Sequence, residues 1–289
     1  MALRSENFLL RRYIEKAMVD LPAIPGIVIQ VIQAADRDEV TTAEIEALIS
    51  KDAAIATKIL KVVNSAYFGL PRQVSTVGQA VVILGLHQVR NLAMSLGVLS
   101  ALSSTNPRIM EYQKGFWSQS FASAACAQEV ARMRGLPKKD QDAIFVGGLL
   151  HDIGRLFLIT LFNLPYQQVI REAATTDLPL RLVEERVLGA SHAELGAALA
   201  ERWNFPEELV VMIRNHDGDF TQGQPYSEYC VHIADVLAAE IDDSELAVKP
   251  LPVSSDAAAW ARLSDDDVER IKANIQIDVE KARELLGIL

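Results

Sequence analysis

Residues 143–161 read AIFVGGLLHDIGRLFLITL, a segment whose apolar side chains fall on every side of a helix yet which also carries His151, Asp152 and Arg155. A helix that is apolar all round leaves no face for water and has to be wrapped by other elements. The same burial makes its polar groups expensive. A bare carboxylate or an unpaired cation inside a protein costs several kcal/mol unless it is paired or bound to a metal. The segment therefore belongs at the centre of the fold, and neighbouring elements must supply partners for a histidine and an aspartate. Two readings follow: a catalytic metal site, or the remains of one in a protein now used for contacts.

The rest of the chain is helical in pattern, with no strand-like alternation, no repeat and no low-complexity tract. TTAEIEALIS places Thr41 and Glu44 at capping-box spacing. In KDAAIATKILKVVNSAYFG, Asp52 can cap, Ile55, Ile59, Leu60 and Val63 share a face, and Gly69 with Pro71 marks the end. Thr76 and Gln79 form another box, with Gly85 as stop, and LHQVRNLAMSLGVLSAL follows. A polar joint, SSTNPRIMEYQKG, separates these short helices from a second group. That group holds FWSQSFASAACAQEVARMRG with Gly135 as its cap, the opening segment, SHAELGAALAERWN with a Ser191–Glu194 box, and PEELVVMIRNHDG with Pro206 at the first helical position. SEYCVHIADVLAAEI and the amphipathic SDDDVERIKANIQIDVEKARELL complete an all-α fold.

Composition narrows the function. Half of the 289 residues are apolar and 23% are charged, the balance of a folded soluble protein. A net charge of −10 argues against a protein whose work is gripping phosphate backbones, so nucleic acid is disfavoured as a partner. Cys126 and Cys230, both in apolar helical patterns, read as structural thiols of a reducing compartment. No secretory leader pattern and no run of about 20 uncharged apolar residues is visible, and a cytoplasmic location without membrane contact is the expectation.

The chemistry-bearing residues are few. His151 and Asp152 are neighbours, about 100° apart on a helix, and can flank one ion. His192 opens its helix, His216 and Asp217 close theirs, and Asp235 sits within CVHIADVLAAE. Imidazole nitrogens and carboxylate oxygens suit Fe, Mn, Zn or Mg, and such an ion lowers the pKa of bound water. Arg155, one turn after His151, could face a phosphate oxygen. Each residue also has a plainer reading. His151 and Asp152 can be a buried pair that orients helices. His192 can be a solvated first-turn residue, and His216 a favourable charge at a helix end. Asp217 can be a turn residue, Asp235 a surface partner of His232, and Arg155 a snorkelling cation. Gly147 and Gly148 give up helix propensity, which fits the close approach of a neighbour. His87, in GLHQVRNL, hints at helix-turn-helix DNA binding, against the acidic balance. NSAYFGLPR combines Tyr67, Phe68 and Arg72 as either a contact hot spot or a core plug.

With these motifs in order, the chain resembles the HD superfamily and, more specifically, its HDOD domains. The resemblance rests on LPAIPGIVIQVIQAA, NSAYFG, GGLLHDIGRLFL, LGASHAELG, IRNHD and HIADVLA, and spans about 21–240. It implies an N-terminal helical bundle (21–104) packed on a degenerate HD-type helical core (105–240), with helical extensions over 1–20 and 241–289. It also implies a bacterial signal-transduction output module that acts through contacts with signalling proteins or through a nucleotide ligand. The alternative is a divergent metal-dependent phosphohydrolase acting on a cyclic dinucleotide or other nucleotide, with Asp152 and Arg155 as its working residues.

The family pattern also implies a ligand set: His151, Asp152, His192, His216 and Asp235, with Asp217 standing where a second histidine is usual. Gln119 occupies the place of the first histidine, Arg155 stands where a lysine is common, and no GYP segment follows NHDGDF. A neutral amide is a poor ligand for a transition metal, so the expectation is weak binding of a divalent ion and no turnover.

Overall fold

Asp52 accepts hydrogen bonds from the backbone of Ala54 and Ile55, both at 3.0 Å, and so starts a helix where the spacing placed one. Thr41, Thr76 and Ser191 cap in the same way, each side chain accepting from the residue three positions on. The boxes are only half closed. Gln79 reaches back to the Ser75 N–H, and Glu44 turns to Arg37.

The computed structural model describes residues 2–21, 23–35, 37, 39–65, 68–176, 178–218, 220, 225–241, 247–249 and 252–288. Among these all regular structure is helical. The elements are α1 (Ala2–Asp20), α2 (Gly26–Ala35), α3 (Thr42–Ile49), α4 (Ala53–Val63), α5 (Val77–Leu84), α6 (Leu86–Ala101), α7 (Pro107–Met133) and α8 (Lys138–Leu150). They continue as α9 (Ile153–Leu161), α10 (Asn163–Thr175), α11 (Leu180–Leu188), α12 (His192–Arg202), α13 (Glu207–Asn215), α14 (Tyr226–Ala239), α15 (Ser255–Ala261) and α16 (Asp265–Ile288).

The longest helix, α7, is the spine. Helices α8, α9, α14 and α16 pack along it, and α12 and α13 close the far side against α9 and α8. Helices α2 to α6 pack among themselves, and α6 then lies on α8. The Asn91 side chain donates to Asp142 O at 3.0 Å across that contact. At the other end, Ile271, Ile275 and Val279 of α16 are buried, at i, i+4 and i+8 on one face. Each such side chain contributes about 1.5–3 kcal/mol when fully buried, enough to fasten α16 to α7.

Several expectations need correction. The polar stretch after α6 is mostly not a joint: Asn106 caps, Pro107 takes the first helical position, and α7 runs unbroken through the FWSQSFASA segment. Helix α4 ends at Val63 rather than near Gly69, because the Asn64 side chain clamps Leu60 O and Val74 O, both at 2.8 Å. Pro206 is the cap of α13 and Glu207 its first residue. Helix α6 is buried from Gln88 through Val98 apart from a half-buried Arg90, so it presents no recognition face for a DNA groove. Of the NSAYFGLPR trio, Phe68 is half-buried and Arg72 exposed, while Tyr67 lies outside the described residues. Cys126 and Cys230 are buried and not joined in a disulfide, and burial pushes Cys230 up to about 12. Residues Lys138–Leu161, taken together, match a membrane span in length and mean hydropathy (1.6), but 83% of that window is buried in the fold.

Candidate metal centre

The opening segment is two helices, not one. Helix α8 stops at Leu150, Asp152 adopts φ −98° and ψ 17°, and its carbonyl accepts from Arg155 N at 2.8 Å to start α9. The cause lies across the fold. A Cβ on Gly154 would sit 1.9 Å from His192 O and 2.8 Å from Gly196 N. Helix α9 therefore lies backbone to backbone on the start of α12, and the chain has to leave the α8 axis to reach it. Gly147 and Gly148 serve α8 similarly: a Cβ on Gly148 would lie 2.8 Å from Ala124 Cα of α7, and one on Gly147 2.4 Å from Met212 Sδ. The chain breaks at His151 and Asp152, the two polar residues the segment could least afford to bury alone.

Around the break, three imidazoles converge in one orientation. His151 Nδ1 lies 2.7 Å from Gly148 O, His192 Nδ1 2.6 Å from Glu184 Oε2, and His216 Nδ1 2.8 Å from Ile213 O. Each partner is an oxygen that only accepts, so each Nδ1 carries a proton and donates it. Every Nε2 is thereby turned inward. His192 Nε2 stands 3.1 Å from His216 Nε2, and these two nitrogens lie 3.3 and 3.5 Å from Asp152 Oδ1. Asp217 Oδ2 is 3.6 Å from His192 Nε2, and Asp235 Oδ1 is 3.2 Å from His151 Nε2. The six residues expected to form a ligand set are thus brought together. The two surface-type readings give way: His192 is 3% exposed, and Asp235 hydrogen-bonds His151 instead of forming a surface pair with His232.

Asp152 divides its two oxygens. Oδ1 faces His192 and His216, while Oδ2 accepts from Arg155 Nη1 at 2.9 Å and lies 3.7 Å from His151 Nε2. Arg155 Nε donates to Tyr166 OH at 3.2 Å, Tyr166 OH donates to Glu184 Oε1 at 2.9 Å, and Glu184 Oε2 accepts from both His192 N and His192 Nδ1. Asp152, Arg155, Tyr166, Glu184 and His192 therefore close a ring of polar contacts. Arg155 is a member of that ring, its guanidinium turned to Asp152 and Tyr166 where a snorkelling core-edge cation would turn to water.

The electrostatics follow from this crowding. Burial works against charge on every member, and pairing overcomes it. The Asp152 charge and the Asp235 hydrogen bond lift His151 to about 9 despite burial. Glu184, Asp217 and Asp152 lift His192 to about 10, again against burial. Arg155, His151 and His192 hold Asp152 well below the usual carboxylate range. Four carboxylates, Asp152, Asp217, Asp235 and Glu184, meet one guanidinium among the described residues, and without a further cation protons on His151 and His192 offset part of that excess negative charge. A divalent ion carries the same charge as those two protons.

Two triads, His151–Asp152–His216 and His192–His216–Asp217, each offer ligand atoms lying within 4.8 Å of one another. The 3.1, 3.3 and 3.5 Å edges of the His192–His216–Asp152 triangle match ligands held about 2.0–2.2 Å from a shared ion. The donor set suits Mn, Fe or Zn. A small open cleft lies beside the centre, lined by Gln119, Ser120, His151, Asp152, Arg155 and Asp235. Gln119 thus faces the centre with an amide where the family pattern has an imidazole.

Two contributing residues, Glu184 and Tyr166, carry no signal in the sequence, and the partners of a third, His232, lie elsewhere than the sequence suggests. Glu184 in RLVEERVL has the look of a solvated helix face, yet it is 0% exposed. Tyr166 carries no motif. His232 was read only as a neighbour of Asp235. Its Nε2 instead accepts from Ser254 N at 3.1 Å and its Nδ1 donates to His216 O at 2.8 Å. Burial keeps this ring below its usual value. It is a neutral strut between the segment before α15 and the backbone of His216.

A family model of the HDOD domain matches residues 21–218. An uncharacterized protein of Treponema pallidum is 32% identical over 197 residues, 68% of this chain and 37% of that protein. A dihydroneopterin 2′,3′-cyclic phosphate phosphodiesterase of Methanocaldococcus jannaschii is 29% identical over 111 residues, 38% of this chain and 39% of that one. The chain spans less than half the length of either relative. An HDOD domain protein of Geobacter sulfurreducens shares the fold, with a TM-score of 0.73 at 22% identity over 98% of this chain and 97% of that one.

Proposed function

This chain belongs to the HDOD family, and from that premise we propose that it is a regulatory module of signal transduction whose His–Asp centre holds a divalent cation without turning over a substrate. The observation that carries the reading is the inward turn of three Nε2 atoms around Asp152 while the other oxygen of Asp152 is held by Arg155. A cation there would be held by His192, His216 and Asp152, with Asp217 alongside. It would neutralise buried carboxylates and, where water completes its shell, lower the pKa of that water. The protein's own residues are arranged chiefly to hold each other. Arg155 is tied to Asp152 and Tyr166, and Gln119 offers the cleft a neutral amide. Signalling proteins are the partners this reading assigns, with a nucleotide held in the cleft as a second ligand class.

The test is purified protein loaded with Mn²⁺ and assayed against cyclic dinucleotides and 2′,3′-cyclic nucleotides. The expected result is a raised Tm on loading and no hydrolysis. Hydrolysis that disappears in both His151→Ala and Asp152→Ala, with helicity intact, overturns the reading in favour of a metal-dependent phosphohydrolase. Two observations favour that alternative: the phosphodiesterase of Methanocaldococcus jannaschii among the relatives, and a guanidinium at the edge of the cleft.

A further inference from the structure

The two candidate triads share one residue, His216. That ring has a single nitrogen to give, because Nδ1 is engaged by Ile213 O at 2.8 Å and Nε2 has one lone pair. Nε2 lies 3.1 Å from His192 Nε2 and 3.5 Å from Asp152 Oδ1, which places it with the His192 side of the centre. An ion on the other side would be left with His151 Nε2, Asp235 and Asp152 Oδ2. That last oxygen already accepts from Arg155 Nη1 at 2.9 Å. An ion sharing Oδ2 would sit against a guanidinium, and like charges at that range repel strongly in a buried site. Gln119, on the same cleft wall, supplies no imidazole to offset the repulsion.

Resting on the metal reading above, we propose that the centre takes one divalent cation, at His192, His216 and Asp152 Oδ1, and that Arg155 fills the seat of a second. Asp152 then joins an ion to a guanidinium where a bridging carboxylate would join two ions. The cation on the cleft side is fixed by the chain itself and does not depend on metal supply.

The experiment is titration of the full chain with Mn²⁺, read by calorimetry and by electron paramagnetic resonance. One equivalent is expected, with the six-line spectrum of an isolated ion. Two equivalents with an exchange-coupled spectrum overturn the proposal while leaving the metal reading standing; no bound Mn²⁺ sinks the metal reading and this proposal with it. A Gln119→His/Arg155→Met double variant, which supplies a nitrogen and frees Oδ2, is expected to take two equivalents. A folded double variant that stays at one contradicts the role given to Arg155. Should the double variant not fold, Gln119→His alone is expected to remain at one, and a rise to two counts against Arg155 as the excluding group.

Discussion

Glu184 grips His192 twice with a single oxygen: Oε2 accepts from the His192 backbone N–H at 2.8 Å and from its ring Nδ1 at 2.6 Å. One carboxylate thereby sets both the start of α12 and the tautomer of the ring that helix presents. Removing such an outer partner typically costs 10–100-fold in metal affinity. Glu184→Gln is expected to weaken Mn²⁺ binding by about that factor while His192 remains in place, as read by calorimetry. An affinity equal to that of the unaltered protein would show that the ring needs no such support.

Asp152 contacts Arg155 through one oxygen and both His192 and His216 through the other. Asp152→Ala leaves a buried guanidinium and two imidazoles without their shared partner. Losing one member of a buried charge pair costs about 3–5 kcal/mol. Urea unfolding of the metal-free protein should show a loss of that order, and a loss below about 1 kcal/mol would contradict the ring of contacts described here.

Two glycines make a paired test of packing. Gly154→Ala places a methyl group 1.9 Å from His192 O, against backbone that cannot swing aside. Forced overpacking of this kind costs about 1–3 kcal/mol or more, and here it also pushes α12 and His192 away from Asp152. Gly115→Ala, inside α7 with nothing within 4 Å of its Cβ, should instead gain about 0.5–1 kcal/mol from helix propensity. Thermal melts of the two variants are expected to move in opposite directions.

Proton and metal compete for His192. His151 and His192 sit at about 9 and about 10 in the metal-free fold, above the usual imidazole value of about 6.5. A raised folded-state pKa gives stability that is fully present below 6.5 and lost as pH climbs through 9 and 10. The Tm of the metal-free protein should therefore fall from neutral pH to pH 10. Mn²⁺ affinity should rise over the same window, about tenfold per pH unit for each proton released. A melting profile and an affinity both flat across that window would contradict the protonated, carboxylate-paired rings.

What was legible in the chain was what is local. Caps at Thr41, Asp52, Thr76 and Ser191 depend on residues three positions away, and short-range spacing reveals them. The candidate ligand residues were legible because histidine and aspartate on apolar helices need a reason to be there. The break at His151–Asp152 was not, since its cause is the contact of Gly154 with α12, some forty residues further along. Glu184 was hidden for the same reason. Acidic helix residues are usually solvated, and only the packing of α11 beside α12 and the Tyr166 hydroxyl turns this one inward. The partners of His232 were hidden as well, because Ser254 N and His216 O are backbone groups of other segments.

The chain has five histidines, which makes ring nitrogens individually observable by ¹⁵N NMR. Titration of labelled protein with diamagnetic Zn²⁺ reads directly which nitrogen meets the ion. The expected result is a shift of the Nε2 signals of His192 and His216, with both Nδ1 signals staying protonated and exposed His87 unmoved. Spectra unchanged by Zn²⁺, or a loss of the Nδ1 protons, would contradict a centre built to hold a cation.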